Sequence, residues 1–278
     1  MYISRNYAKP SPTAIRLSRD FKVLPYMAER YIKMLGVEGA IMLLKSIQKP
    51  PEKAIRCNTL KISPEELERR LSRKNFVLKN IPWTRTGYWV EGGQYPLGAT
   101  LEYLMGYYYV QSAASMIPPI VLNPSPRDTV LDMCAAPGGK TCHLADLMEN
   151  KGVIVAVEKS RDRIRALRSN INRLGVRNVL MVRMDVLKLA TKFRERFDKV
   201  LLDAPCSGEG LLAINHSRRT CRSLDDIFKM QKLQVELLRT AIKLVLNGGT
   251  IVYSTCSIAP EENEFVVNQV LNYGVKIE

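Results

Sequence analysis

The sequence predicts an α/β protein: a parallel sheet with helices on both faces, preceded by a small α+β module. Two observations carry that expectation. From about residue 125 onward, short apolar segments alternate with helical ones, a rhythm that requires crossover connections and hence parallel pairing. Before residue 110 the pattern is different, reading β-α-β-β with turn residues between the parts.

Residues 1–50 read as helical, with Leu24, Met27, Tyr31, Met34 and Leu35 at helical spacing and Ala40–Leu44 as a second apolar stretch. Lys49-Pro50-Pro51 stops a helix and marks a boundary. Ile55–Ile62 is expected to be a strand. Ser63-Pro64-Glu65-Glu66 then starts a helix, with Ser at the cap, Pro in the first turn and Glu three residues after the cap. Short strands are expected at 76–79 and 87–91. In the larger unit, strands are expected at Thr129–Met133, Val153–Glu158, Asn178–Met184, Lys199–Asp203 and Thr250–Tyr253. The helix after the second of these carries Ile164, Leu167, Ile171 and Leu174 on one face and Arg161, Arg165 and Arg168 elsewhere. A long helix is expected to open at Ser223-x-x-Asp226 and close at Asn247-Gly248-Gly249. The expected domains are thus a helical segment at 1–50, an α+β module at 51–110 and an α/β domain at 111–278.

Composition narrows the functional classes. The chain has 278 residues with 42 Lys+Arg against 27 Asp+Glu, a net charge of +15, and its first 110 residues are the denser in positive charge. Such an excess suits a polyanionic partner, of which nucleic acid is the commonest. No apolar run is long enough for a membrane-spanning helix, and the first residues lack the apolar core of a signal peptide. A cytoplasmic, monomeric protein is expected, without a membrane role. Six cysteines in such a chain argue against a disulfide framework. No C-x-x-C occurs and the two histidines lie far apart, so no metal site is expected.

In an open α/β sheet, ligands bind beyond the carboxyl ends of the strands. After the first large-domain strand comes Asp132-Met133-Cys134-Ala135-Ala136-Pro137-Gly138-Gly139-Lys140, whose small residues let backbone approach a ligand at a helix N-terminus. The run is not G-x-G-x-x-G, so a nicotinamide dinucleotide is disfavoured. Glu158, ending the second strand, could accept both hydroxyls of a ribose, and Asp185, past the third, could meet an adenine edge. A nucleoside pocket without a pyrophosphate loop points to S-adenosylmethionine. The fourth strand runs into Asp203-Ala204-Pro205-Cys206-Ser207-Gly208 and the fifth into Ser254-Thr255-Cys256-Ser257. In the usual strand order these two strands are neighbours, so Cys206 and Cys256 should face one cleft with Asp203 close by.

Asp132–Thr141, Asp203–Gly208 and Tyr253–Ser257 resemble the signature motifs of the RNA cytosine-5 methyltransferases of the Nop2/NSUN/Sun family, and most closely the archaeal tRNA members. The likeness extends to Ile55-Arg56-Cys57-Asn58-Thr59-Leu60 and to Tyr107–Pro118 with Gln111 and Ser115. It implies a Rossmann-like class I methyltransferase fold preceded by an RRM-like RNA-binding module. It also implies a mechanism. Cys256 would add to cytosine C6, Asp203 would hydrogen-bond the base near N3, and Cys206 would assist loss of the C5 proton and release of the adduct. Lys140 would act electrostatically in the same cleft. The cofactor, S-adenosyl-L-methionine, would lie against Cys134, Ala135, Ala136, Pro137, Gly138, Gly139, Lys140, Glu158, Asp185 and Asp203. A flipped or loop nucleotide is then required. Arg218, Arg219 and Arg222, with Arg69, Arg70, Arg73 and Lys74, are the candidate contacts to its backbone. The expected substrate is tRNA, with ribosomal RNA as the alternative and a catalytically impaired RNA-binding assembly factor as a second. Relatives of this kind continue into a final β-hairpin, and this chain stops about where that hairpin should begin, which would leave an unpaired sheet edge.

Overall fold

The computed structural model describes residues 9–192, 196–213 and 223–278. Helices α1 (Pro12–Phe21) and α2 (Pro25–Ser46) come first. They are followed by β1 (Ala54–Cys57), α3 (Pro64–Ser72), β2 (Phe76–Asn80), β3 (Gly87–Gly92), α4 (Leu101–Leu104) and β4 (Tyr108–Val110). Next come α5 (Ile117–Leu122), β5 (Thr129–Asp132), α6 (Gly139–Leu147), β6 (Val153–Val157), α7 (Arg161–Leu174), β7 (Val179–Val182), α8 (Leu189–Lys192) and β8 (Phe197–Asp203). Helix α9 (Leu224–Leu244), strand β9 (Val245–Ser254) and helix α10 (Glu264–Asn268) complete the order. The chain forms two compact units. One holds Met1–Pro51, Pro205–Val235 and Thr255–Glu278; the other holds Glu52–Ala204 and Glu236–Ser254.

The second unit contains both sheets. Strands β5 to β9 pair in the order β7-β6-β5-β8-β9, all parallel, as the alternation of elements predicts. Val130, Leu131, Ile154, Ala156, Val200 and Leu201 are fully buried, because helices cover both faces and each central strand must be apolar throughout. On α7, Leu167, Ile171 and Leu174 are buried and Ile164 packs beside them, while Arg161, Arg165 and Arg168 are exposed. The smaller sheet is antiparallel, in the order β2-β3-β1-β4.

Several elements differ from expectation. Strand β1 ends at Cys57 rather than Ile62, because the Lys61 and Ile62 N–H groups both turn back to the Asn58 carbonyl. The Asn58 side chain meanwhile donates to the carbonyls of Gly106 (2.7 Å) and Leu174 (2.8 Å). A fourth strand, Tyr108–Val110, joins the small sheet by pairing with β1; three residues are too few to leave a periodic signal. Helix α2 is broken at Gly36 (φ 73°), so Met34 and Leu35 are exposed although Met27 and Tyr31 are buried. Helix α9 closes at Leu244, ahead of the Asn247-Gly248-Gly249 turn, which lies within the span of β9.

The predicted helix starts hold. The Ser63 hydroxyl accepts from the Glu66 N–H at 3.2 Å. At α9 the Ser223 hydroxyl accepts from the Asp226 N–H (3.2 Å) while the Asp226 carboxylate accepts from the Ser223 N–H (3.0 Å), a reciprocal cap. In the first unit, α1 and α2 bury Ala14, Leu17, Met27, Ala28, Tyr31, Ala40 and Leu44 in a core that also takes in Leu212. Among the described residues, no helix is long and apolar enough to cross a membrane.

Candidate active site

Strand order in the larger sheet reverses direction at β5, between β6 and β8, and the turn after β5 is built for close approach. Gly138 caps α6 with φ 105°, where a Cβ would lie 2.9 Å from Leu167 Cδ1. A Cβ on Gly139 would lie 2.8 Å from the Tyr109 ring. Gly138 lets the turn pack against α7, and Gly139 lines a cavity of about 220 Å³. One wall is Tyr109, Val110, Gln111, Ser112 and Ser115; the other is Asp132, Cys134, Ala135, Ala136, Pro137, Gly139 and Lys140, with Asp203 at the end of β8.

The polar groups of the cavity are interlocked. Lys140 Nζ donates to Asp203 Oδ2 at 2.7 Å, and the Ser254 hydroxyl donates to Asp203 Oδ1 at 2.9 Å. Asp132 is buried and accepts from the Thr141 hydroxyl at 2.7 Å; burial, with Asp203 nearby, pushes its carboxyl up to about 6. Behind the wall lies Arg56, fully buried. It donates to Gln111 Oε1 (3.1 Å), Asp146 Oδ2 (3.1 Å) and the Gly139 carbonyl (3.3 Å).

Not every expected cofactor contact faces this space. Gly138, Glu158 and Asp185 are not among the lining residues. Glu158 is buried, accepting from the Ser160 N–H (2.8 Å) and lying 3.4 Å from Arg163. Asp185 accepts from the Leu187 N–H at 3.1 Å, capping a short 3₁₀ turn.

In the other unit, the thiols of Cys206 and Cys256 face one another, Sγ to Sγ 2.8 Å, and the Cys256 N–H donates to Cys206 Sγ at 3.2 Å. The two residues follow the ends of adjacent parallel strands, where Asp203 pairs with Ser254, so their proximity is the one expected from strand order. The hydrogen bond with Cys256, followed by burial, raises the Cys206 thiol well above its ordinary value. Elsewhere burial pushes Cys57, Cys134 and Cys142 up to about 12, leaving them inert.

The loop beyond Cys206 is anchored by buried charge. Glu209 accepts from Arg30 Nη1 (2.9 and 2.6 Å) and from the Tyr31 hydroxyl (2.8 Å), and Arg30 also faces Glu261 at 3.4 Å. Sequence reasoning missed Arg30, Glu209, Gln234 and Glu262, all buried; the only hint was charge interrupting the apolar helical spacing at Glu29-Arg30.

Of the candidate RNA contacts, Arg218, Arg219 and Arg222 lie outside the described residues. On α3, Arg69 and Arg70 both bind Glu66, at 2.6 and 2.7 Å; just after it, Arg73 is exposed and Lys74 binds Glu102. Among the described residues no His, Cys, Asp and Glu cluster could hold a metal ion.

Comparison with known proteins identifies the family. Residues 119–278 match the family model of the 16S rRNA methyltransferases RsmB/F, and residues 24–113 match that of the N-terminal domain of 16S rRNA methyltransferase RsmF. The 25S rRNA (cytosine-C(5))-methyltransferase nop2 of Schizosaccharomyces pombe is 40% identical over 88% of this chain and 41% of its own length. Ribosomal RNA small subunit methyltransferase F of Vibrio cholerae is 41% identical over 80% of this chain and 48% of its own. The chain thus spans less than half the length of these two relatives. NSun6 from Pyrococcus horikoshii, solved with SFG, superposes with a TM-score of 0.83 at 30% identity, covering 90% of this chain and 87% of that one. With family models, fold and relatives in agreement, the chain belongs to the RsmB/F and Nop2/NSUN family of RNA cytosine-5 methyltransferases.

Proposed function

We propose that this chain methylates cytosine C5 in RNA, using S-adenosyl-L-methionine and a covalent cysteine adduct. The observation that carries the reading is the pair of thiols 2.8 Å apart on the loops that follow two neighbouring strands. The Schizosaccharomyces pombe and Vibrio cholerae relatives are ribosomal RNA methyltransferases, which supports ribosomal RNA as the first substrate to test, with tRNA as the second.

The cavity beyond β5 fits the cofactor, because its wall is small side chains and glycine backbone that a Cβ would obstruct. When bound, S-adenosyl-L-methionine supplies an electrophilic methyl group. Cys134–Pro137, Gly139 and Lys140 would hold it, with Gly138 shaping the turn and Glu158 and Asp185 at the ends of the adjoining strands. Cytosine C5 is a poor nucleophile until a group adds at C6. Cys256 supplies that group: its sulfur bonds C6 and the displaced electron pair enriches C5. Asp203, oriented by Lys140 and Ser254, hydrogen-bonds the base and stabilises the proton that N3 takes up as the adduct forms. Once C5 carries the methyl, its proton must leave and the carbon–sulfur bond to Cys256 must break, a step assigned to Cys206.

The test combines labelled cofactor with unmodified ribosomal and transfer RNA transcripts, and reads products by bisulfite sequencing. One transcript should acquire 5-methylcytosine. Cys256→Ala should abolish product and adduct alike, whereas Cys206→Ala should accumulate a covalent RNA complex. Folded, cofactor-binding protein that yields no 5-methylcytosine in either RNA overturns the proposal.

A further inference from the structure

Glu262 lies in a short turn after Cys256 and is wholly buried. A buried carboxylate is retained only where donors satisfy it. Its donors come from the backbone and side chains around Cys206. The Ser207 N–H donates to Oε1 at 2.8 Å and the Ser207 hydroxyl donates to Oε2. Gln234 Nε2 donates to Oε1 at 3.1 Å and also to the Pro205 carbonyl at 2.9 Å. Both neighbours of Cys206 in the chain are therefore tied to one carboxylate, one directly and one through Gln234.

The same turn is joined to the turn of Cys256. The Ser207 and Ser257 hydroxyls are 3.2 Å apart, and the Gly210 N–H donates to the Cys256 carbonyl at 2.9 Å. We propose that Glu262 is a positioning residue for Cys206, acting through Ser207 and braced by Gln234, and that it holds the two thiols at the separation adduct release requires. This rests on the reading of Cys206 and Cys256 as a reactive pair. A carboxylate that merely completed the fold would affect stability without changing how the two thiols react.

The test uses the full chain and two readouts. The first is alkylation by iodoacetamide, resolved residue by residue by peptide mass spectrometry. Glu262→Ala should raise labelling of Cys206 about fivefold, because a loosened thiol leaves the 2.8 Å contact with Cys256 that disfavours its thiolate. Buried Cys57 and Cys142 should stay unlabelled, which reports an intact fold. Glu262→Gln, which keeps an acceptor for the Ser207 N–H and a donor for its hydroxyl, should return labelling most of the way to the wild-type rate. The second readout is turnover on RNA. Glu262→Ala should lose about 10²-fold in kcat with little change in KM, the cost of misplacing a reacting group by about 1 Å. It should also accumulate covalent complex, and Glu262→Gln should recover at least a tenth of the wild-type rate.

Unchanged Cys206 labelling in Glu262→Ala, or a Gln variant as impaired as Ala in both readouts, overturns the proposal. Should labelling of Cys57 show that Glu262→Ala has unfolded, Gln234→Leu decides, since it removes the bonds to Pro205 and to Glu262 Oε1 while leaving both bonds from Ser207 to the carboxylate: faster Cys206 labelling supports the proposal and an unchanged rate overturns it. Methylation by Cys256→Ala would instead refute the reactive-pair reading, and the alkylation readout would still report on Glu262.

Discussion

The cavity beyond β5 and the paired thiols, which follow β8 and β9 in the chain, are held by different means. The cavity is a product of backbone. A parallel ladder fixes where β5 and β8 end, and two glycines set how closely the following turn can approach a ligand. The thiols sit on irregular backbone, which packing alone orients poorly, and buried ions supply the restraint: Glu262 on one side of the Cys206 turn, Arg30 with Glu209 on the other. A cavity made of backbone tolerates many side-chain changes. A loop held by buried charge is sensitive to each of its partners.

The largest effect expected from that contrast lies in the buried arginines. Arg30→Met leaves Glu209 and Glu261 without their guanidinium and should cost about 3–5 kcal/mol, the usual penalty for breaking a buried ion pair from one side. Arg56→Met should cost a similar amount through Asp146, but should also weaken cofactor binding, because Arg56 orients Gln111 and the Gly139 carbonyl. Urea unfolding and calorimetry on both variants check this; equal loss of cofactor affinity in the two would erase the distinction between the regions.

A smaller effect should come from Asp132, the ion of the cavity itself. Its carboxyl is raised from 3.8 to about 6, so the folded state binds its proton more tightly than the unfolded chain. The stability this represents is complete below about pH 4 and is lost as pH rises through about 6. The stability of Asp132→Asn relative to the parent should therefore grow between pH 4 and 7.5, by at most about 3 kcal/mol. Paired urea titrations across that range measure it, and a pH-independent difference would show that the cavity carries no buried-ion cost.

The smallest effect serves as a local baseline. Ser223→Ala removes one half of the cap that opens α9 and should cost about 1 kcal/mol in the same titrations. A loss as large as that of Arg30→Met would mean that caps, rather than buried ions, dominate the anchoring of this region.

The same contrast explains what could be read from the chain. The parallel sheet, the cap residues Ser63 and Ser223 and the glycine turn were legible because each rests on local pattern or on backbone conformation. The meeting of Cys206 with Cys256 followed from strand order. The antiparallel partner of β1, Tyr108–Val110, was not legible because so short a strand owes its existence to its neighbour. Arg30, Glu209, Gln234 and Glu262 were not legible either. A charged residue destined for burial looks in sequence like any solvated one, and its partner here is as much as 179 residues away.

That last distance has a consequence for biosynthesis. Arg30 leaves the ribosome 179 residues ahead of Glu209, which at translation rates of about 5–20 residues per second is a wait of roughly 10–40 s. During that interval the α1–α2 hairpin carries a cation on the surface it is to bury. The charge favours solvation of that surface until the segment that carries Glu209 has been made.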